Sequence, residues 1–152
     1  MPDHQLHREQ LIPRPLHEVF PFFADAGNLE AITPRWLNFQ ILTARPIDMH
    51  VGALLEYRLK WHGLPIAWQT RIVAWDAPHC FADLQVRGPY RLWHHTHTFR
   101  AEGESTRMTD LVNYALPFGP LGALAHTIMV RRELELVFDY RCKVIESLFA
   151  RK

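Results

Sequence analysis

Apolar and polar side chains alternate along most of the chain between Phe39 and Leu116, and a period of two is the mark of strands with one covered face. The alternating runs are Phe39 to Thr43, Ala53 to Trp61, Ile66 to Trp75, Phe81 to Val86, Leu92 to Phe99 and Thr106 to Leu116, with a further strand predicted over Gln5 to Ile12. The turn sequences His62-Gly63-Leu64-Pro65, Asp76-Ala77-Pro78-His79, Gly88-Pro89 and Glu102-Gly103-Glu104-Ser105 separate consecutive runs. Turns this short require antiparallel pairing. Within each run the pattern assigns faces. Leu55, Tyr57, Leu59 and Trp61 share one, as do Trp68, Thr70 and Ile72; Phe81, Asp83 and Gln85; Trp93, His95, His97 and Phe99; and Met108, Asp110, Val112 and Tyr114.

At both ends of this strand-rich region the period changes to helical. Pro15 suits a helix first turn, and Leu16, Val19, Phe20 and Phe23 recur at helical spacing, predicting a short helix to about Ala24 despite Pro21. Leu29 to Thr33 reads as a second helical turn. After Pro117-Phe118-Gly119-Pro120 the chain is predicted to form one helix to Ala150, about 30 residues and roughly 45 Å long. Its apolar stripe is expected through Leu121, Leu124 and Ile128, then Leu134, Val137, Phe138, Arg141, Ile145 and Leu148. The fold class is therefore α+β: a curved antiparallel sheet of about seven strands wrapped around a long C-terminal helix, with one or two short helices after the first strand. A sheet curved around a single helix leaves room at one end of the wrap, so a cavity is expected there. Alternation alone leaves open which sheet face is inward.

Composition narrows the function without naming it. The 152 residues fit one domain spanning 1–152, with no linker or repeat. Lysine and arginine total 17 against 16 acidic residues, a net charge of +1 with no basic run, which argues against nucleic acid as a partner. No segment approaches the roughly 18 uncharged apolar residues of a membrane span, and the start lacks an apolar signal core. Cys80 and Cys142 are far apart and without metal-type spacing, as expected of two reduced thiols in a cytoplasmic protein. Nine Phe, five Trp and four Tyr give the chain an aromatic bias that suits a flat or greasy guest.

The chemistry concentrates in one strand. His95 and His97 point the same way, with Cβ atoms about 6–7 Å apart along the strand. Asp110 on the following strand and Asp83 or Gln85 on the preceding one are placed to meet them. Such a His-x-His pair with a carboxylate could chelate a metal and activate water. No second ligand motif accompanies it, so the expectation is no metal and no cofactor. Two other readings use the same groups: a hydrogen-bonded ladder in which a carboxylate orients an imidazole, or an acid–base pair, with His95, His97 and Asp110 as catalytic candidates and Tyr57 or Tyr114 as donor to a substrate oxygen. Arg141, inside the apolar stripe, is expected to pair with a carboxylate or to snorkel.

The order of elements, with Gly52-Ala53-Leu54-Leu55-Glu56-Tyr57, Trp68 to Ile72, Phe81 to Gln85, Gly88-Pro89-Tyr90, the alternation Trp93, His95, His97, Phe99, then Asp110, Val112, Tyr114 and Pro117-Phe118-Gly119, resembles the SRPBCC or START-like helix-grip superfamily. More narrowly it is similar to the short bacterial ligand-binding group described as polyketide cyclase/dehydrase-like, over essentially the whole chain. The resemblance implies binding of a small hydrophobic or aromatic molecule between sheet and C-terminal helix, without a cofactor. The expected ligand-binding residues are Tyr57, Trp68, Asp83, Gln85, Trp93, His95, His97, Phe99, Asp110, Tyr114, Leu124 and Ile128. A cyclase or dehydratase using the same cavity is the alternative function. A homodimer or other partner using the opposite sheet face, with His94, Thr96 and Thr98, is the alternative of a different kind.

Overall fold

A computed structural model describes residues 2–150 of the chain. The order is β1 (His4–Ile12), α1 (Leu16–Ala24), two short 3-10 turns (Ala26–Glu30 and Arg35–Leu37), β2 (Gln40–Ile41), β3 (Leu54–Trp61), β4 (Leu64–Asp76), β5 (Cys80–Arg87), β6 (Leu92–Glu102) and β7 (Ser105–Ala115). There follow α2 (Gly119–Ala125), a π-helical turn (His126–Val130) and α3 (Arg131–Leu148). The strands form one antiparallel sheet in the order β1-β7-β6-β5-β4-β3-β2. This is the helix-grip α+β arrangement, and the faces follow the alternation. Leu55 and Tyr57, Thr70 and Ile72, Trp93, His95, His97 and Phe99, and Met108, Asp110, Val112 and Tyr114 are all buried against the helices.

Local chemistry explains the connections. His62 and Gly63 both adopt positive φ (50° and 80°), as a two-residue hairpin with matching twist requires, so β4 begins at Leu64, earlier than expected. A register shift in β4 follows Ile72. Ile72 pairs with Asp83 but Ala74 pairs with Ala82, so Trp75 lies opposite Phe81. Strict alternation would send Trp75 outward; the bulge turns its ring against Phe20 and Phe81.

The helices cover the two ends of the concave face unequally. At one end α1, which accommodates Pro21, inserts Val19, Phe20 and Phe23 among Ile12, Phe81, Phe99, Met108 and Ile145. At the other end α2, the π-turn and the start of α3 meet a sparser set of Leu6, Trp93, Val112, Tyr114, Leu134 and Phe138.

The long helix departs from its expected stripe. Leu121, Leu124 and Ile128 are 73%, 56% and 68% exposed, and Leu148 is exposed as well, whereas Gly122, His126, Leu134 and Phe138 face inward. A straight helix traced back from Phe138 at 3.6 residues per turn brings Thr127 and Leu124 to the sheet. The π-turn holds an extra residue and advances the inward face to His126 and Gly122. Only glycine fits at 122, since a Cβ there would stand 2.1 Å from the Pro117 carbonyl oxygen.

Candidate functional site

Between the sheet and the first half of the long helix lies a cavity of about 680 Å³. Its walls are mainly aromatic and aliphatic, including Trp61, Trp68, Tyr90, Trp93, Leu134 and Phe138. Trp68 and Trp93 meet edge to face at 5.4 Å, which fixes the two indoles as a corner of the wall. Trp36, Phe118 and Leu121 stand exposed at the rim. Glu133 of α3 reaches across to Trp61 Nε1–H and to the His62 ring, tying the β3–β4 hairpin to the helix.

One region of the wall is polar. Cross-strand pairing puts Asp83 opposite His95 and His97 opposite Asp110, and the side chains then reach diagonally. His95 Nε2 lies 2.8 Å from Asp110 Oδ1, and His97 Nε2 lies 3.2 Å from Asp83 Oδ2. His97 Nδ1 is 3.2 Å from Asp110 Oδ1, within ion-pair range but misaligned for a hydrogen bond, so that contact is electrostatic. His97 is sandwiched between the Phe81 ring at 4.2 Å and the His95 ring at 3.8 Å. Behind Asp83, Thr70 Oγ1 donates to the Leu84 carbonyl and stands 3.4 Å from Asp83 Oδ1.

Burial and charge set the protonation states. Burial pushes both carboxyls upward, but the imidazoles more than offset it: the hydrogen bond from His95 and the close contact with His97 hold Asp110 far below the usual carboxylate range, and His97 chiefly lowers Asp83. Burial also drives His97 toward neutrality, yet its contacts with Asp110 and Asp83 win and its pKa is raised. For His95 the balance is reversed. Burial and the neighbouring charge of His97 outweigh Asp110, so its pKa is lowered. The shared proton therefore resides on His97, while neutral His95 donates Nε2–H to Asp110 and keeps a lone pair on Nδ1. Burial, then the charge of Asp83, raises the Tyr57 phenol and keeps it protonated.

Six of the expected ligand-binding residues line the cavity together: Tyr57, Trp68, Asp83, Trp93, His95 and His97. Asp110 lies behind the imidazoles, buried. Gln85 is occupied at the β5–β6 turn, donating to the Tyr90 carbonyl and accepting from the Tyr90 amide. Phe99 belongs to the packed end with Phe20 and Phe23. The Tyr114 hydroxyl is 2.7 Å from His126 Nε2, beneath the π-turn. Leu124 and Ile128 lie on the outer side of the helix, away from the cavity, Leu124 because of the π-turn.

One feature had no signal in the sequence: the hairpin tie through Glu133 depends on a contact between residues far apart in the chain. Arg141, expected to pair with a carboxylate or to snorkel, lines the cavity and makes no ion pair among the described residues; its guanidinium lies 4.8 Å over the Phe138 ring. Asp83, His95 and His97 also offer possible metal-ligand atoms within 4.8 Å of one another. A metal must lie in the plane of each ring it binds, and these rings stack at 30°, so their lone pairs run nearly side by side. A cation there would require one ring to turn away from its carboxylate.

A curved antiparallel sheet gripping a long C-terminal helix over an apolar hollow defines the helix-grip class of hydrophobic-ligand-binding folds. The chain belongs to the polyketide cyclase / dehydrase and lipid transport family, whose model matches residues 12–139. No curated protein matches it in sequence. Among solved structures, the protein TTHA0849 from Thermus thermophilus is similar with a TM-score of 0.75 and 18% identity over 95% of each chain. The ginseng major latex-like protein 151 from Panax ginseng gives 0.70 and 14%, covering 97% of this chain and 98% of that one. A Thalictrum norcoclaurine synthase point mutant in complex with a transition-state analogue gives 0.67 and 13% over 95% of each. At these identities the likeness is one of fold. No helix among the described residues is long and apolar enough to cross a membrane.

Proposed function

We propose that this protein binds one small hydrophobic or aromatic molecule between the sheet and the long helix, acting as a single cytoplasmic unit without a cofactor. The observation that carries the reading is the cavity: about 680 Å³ of mainly apolar wall interrupted by a few fixed polar groups. That size and make-up suit a small-molecule site. Trp68 and Trp93 flank the guest, while Tyr57, Asp83, His95 and His97 meet its polar end. The test is a fluorescence titration with the uncharged dye phenylnaphthylamine on wild type and on Ile66→Trp, which places an indole in the hollow. Wild type should bind with micromolar affinity and the filled variant about tenfold more weakly. Equal binding by the two would place the dye elsewhere and end the proposal. Native mass spectrometry of freshly purified protein complements this by identifying any molecule carried along.

A second reading, a cyclase or dehydratase, is favoured by one specific feature. His95 donates Nε2–H to Asp110, leaving Nδ1 without a hydrogen bond among the described residues, on a residue that lines the cavity. A neutral imidazole so oriented can take a proton from a bound guest and return it to a departing hydroxyl. Turnover of a polyketide-like substrate that His95→Gln lowers about 100-fold, with the residual activity losing the acidic limb of the pH profile, is the expected outcome. Unchanged turnover in that variant removes His95 from the chemistry.

A further inference from the structure

We propose that the guest carries an anionic group, a carboxylate or its equivalent, received by the Arg141 guanidinium and the Tyr57 hydroxyl at the inner end of the cavity. This deepens the binding reading above and rests on it.

The argument begins with unfilled hydrogen-bond donors. Arg141 sits on α3 between Phe138 and Ile145, where the hollow end of the sheet meets the packed end. Its Nε is buried with no acceptor, and its terminal nitrogens make no hydrogen bond among the described residues either. No carboxylate of those residues lies within ion-pair distance of it. The contact its guanidinium does make is with the Phe138 face, which leaves the planar fork free along its edge. Tyr57 repeats the pattern from the sheet: its phenol is protonated, deeply buried, close enough to feel the charge of Arg141, and without an acceptor among the described residues. Both residues also border a small chamber of about 40 Å³ that adjoins the main cavity.

The nearby carboxylates do not fill these positions. Asp83 is engaged by His97 Nε2, and Asp110 lies behind the imidazoles, bonded to His95. A half-buried guanidinium with donors unfilled among the described residues, beside a phenol in the same state, is a complementary surface for a planar oxyanion, which accepts two parallel bonds from arginine and a third from a hydroxyl. The aromatic walls then hold the rest of the molecule. The class this selects is an aromatic or aliphatic acid, apolar along its length and ionised at its inner end.

A matched pair of dyes separates the charge from the apolar body: anilinonaphthalene sulfonate, anionic at all accessible pH values, and phenylnaphthylamine, the same skeleton without the sulfonate. Wild type should bind the anion at least about tenfold more tightly than the neutral dye. Arg141→Met keeps the apolar stem and should weaken the anion about 10–30-fold while changing the neutral dye less than about threefold. Arg141→Lys keeps charge without the fork and should fall between. It also serves if the methionine variant does not fold. Equal affinity of wild type for both dyes, or equal weakening of both by either variant, overturns the inference and leaves the cavity reading standing. Absence of binding by either dye to wild type removes the cavity reading, and this inference with it.

Discussion

The two ends of the concave face are made of similar material and differ in how it is used. At the packed end, α1 lowers Val19, Phe20 and Phe23 into the sheet, and Phe20 meets Phe99 edge to face at 5.3 Å. At the hollow end, Trp68, Trp93 and Tyr90 are just as aromatic, but the α3 side chains that face them, Leu134 and Phe138, leave about 680 Å³ open. Aromatic content therefore does not make a pocket. The depth to which the covering element enters does. A ring at the packed end has contacts on all sides, whereas a wall ring has neighbours on one side and the cavity on the other.

The largest effect should come from breaking the packed end. Phe99→Ala is expected to cost about 3–5 kcal/mol, and Trp68→Ala, although it removes a larger side chain, about half as much, because one face of the indole has no contacts to lose. Urea unfolding of both variants measures this. Equal losses would mean that the wall is as tightly packed as the plug.

The seam between the ends gives the next effect. Asp110→Asn removes the carboxylate shared by His95 and His97 and is expected to cost about 3 kcal/mol near pH 6. The pH dependence carries a sign for each group. Asp110 and Asp83 are lowered, so their contribution is complete above about pH 4 and is lost as pH falls through their folded values. His97 is raised, so its contribution is present below about pH 6.5 and is lost as pH rises through its folded value. His95 is lowered and opposes stability as pH falls below about 6.5. Stability of wild type measured from pH 6 to 8 should thus show a declining component from His97 that Asp110→Asn flattens. The same slope in both proteins would show that Asp110 does not hold the proton on His97.

The smallest effect sharpens the outline of the hollow. Leu124→Ser and Ile128→Ser lie on the outer face of the helix and should change stability by less than about 0.5 kcal/mol. Phenylnaphthylamine affinity should stay within about twofold of wild type. A marked loss of affinity would bring these side chains back to the cavity, where a straight helix would have put Leu124.

Much of the site was legible because it is built on strands. His95 and His97 share a face by period two, and the antiparallel meander brings Asp83 and Asp110 to either side, so the polar cluster could be named from spacing and turn length. Gln85 and Tyr114 lie on the expected faces, but contacts with Tyr90 and His126 draw their polar atoms away from the cavity. Leu124 was misplaced by the assumption of a constant 3.6-residue period. The error is a shift of one residue, about 100° around the helix.

Periodicity and turn chemistry alone determine the antiparallel order, the common face of the histidines and carboxylates, and the long helix that follows the last strand. These are local properties, set by neighbours a few residues apart. Which face turns inward, the bulge in β4, the π-turn, the vacancy under the helix and the placement of the Arg141 guanidinium over Phe138 were decided by tertiary packing. There, fitting one element onto another outweighs the regular period of either, and where side chains do not reach each other a space remains.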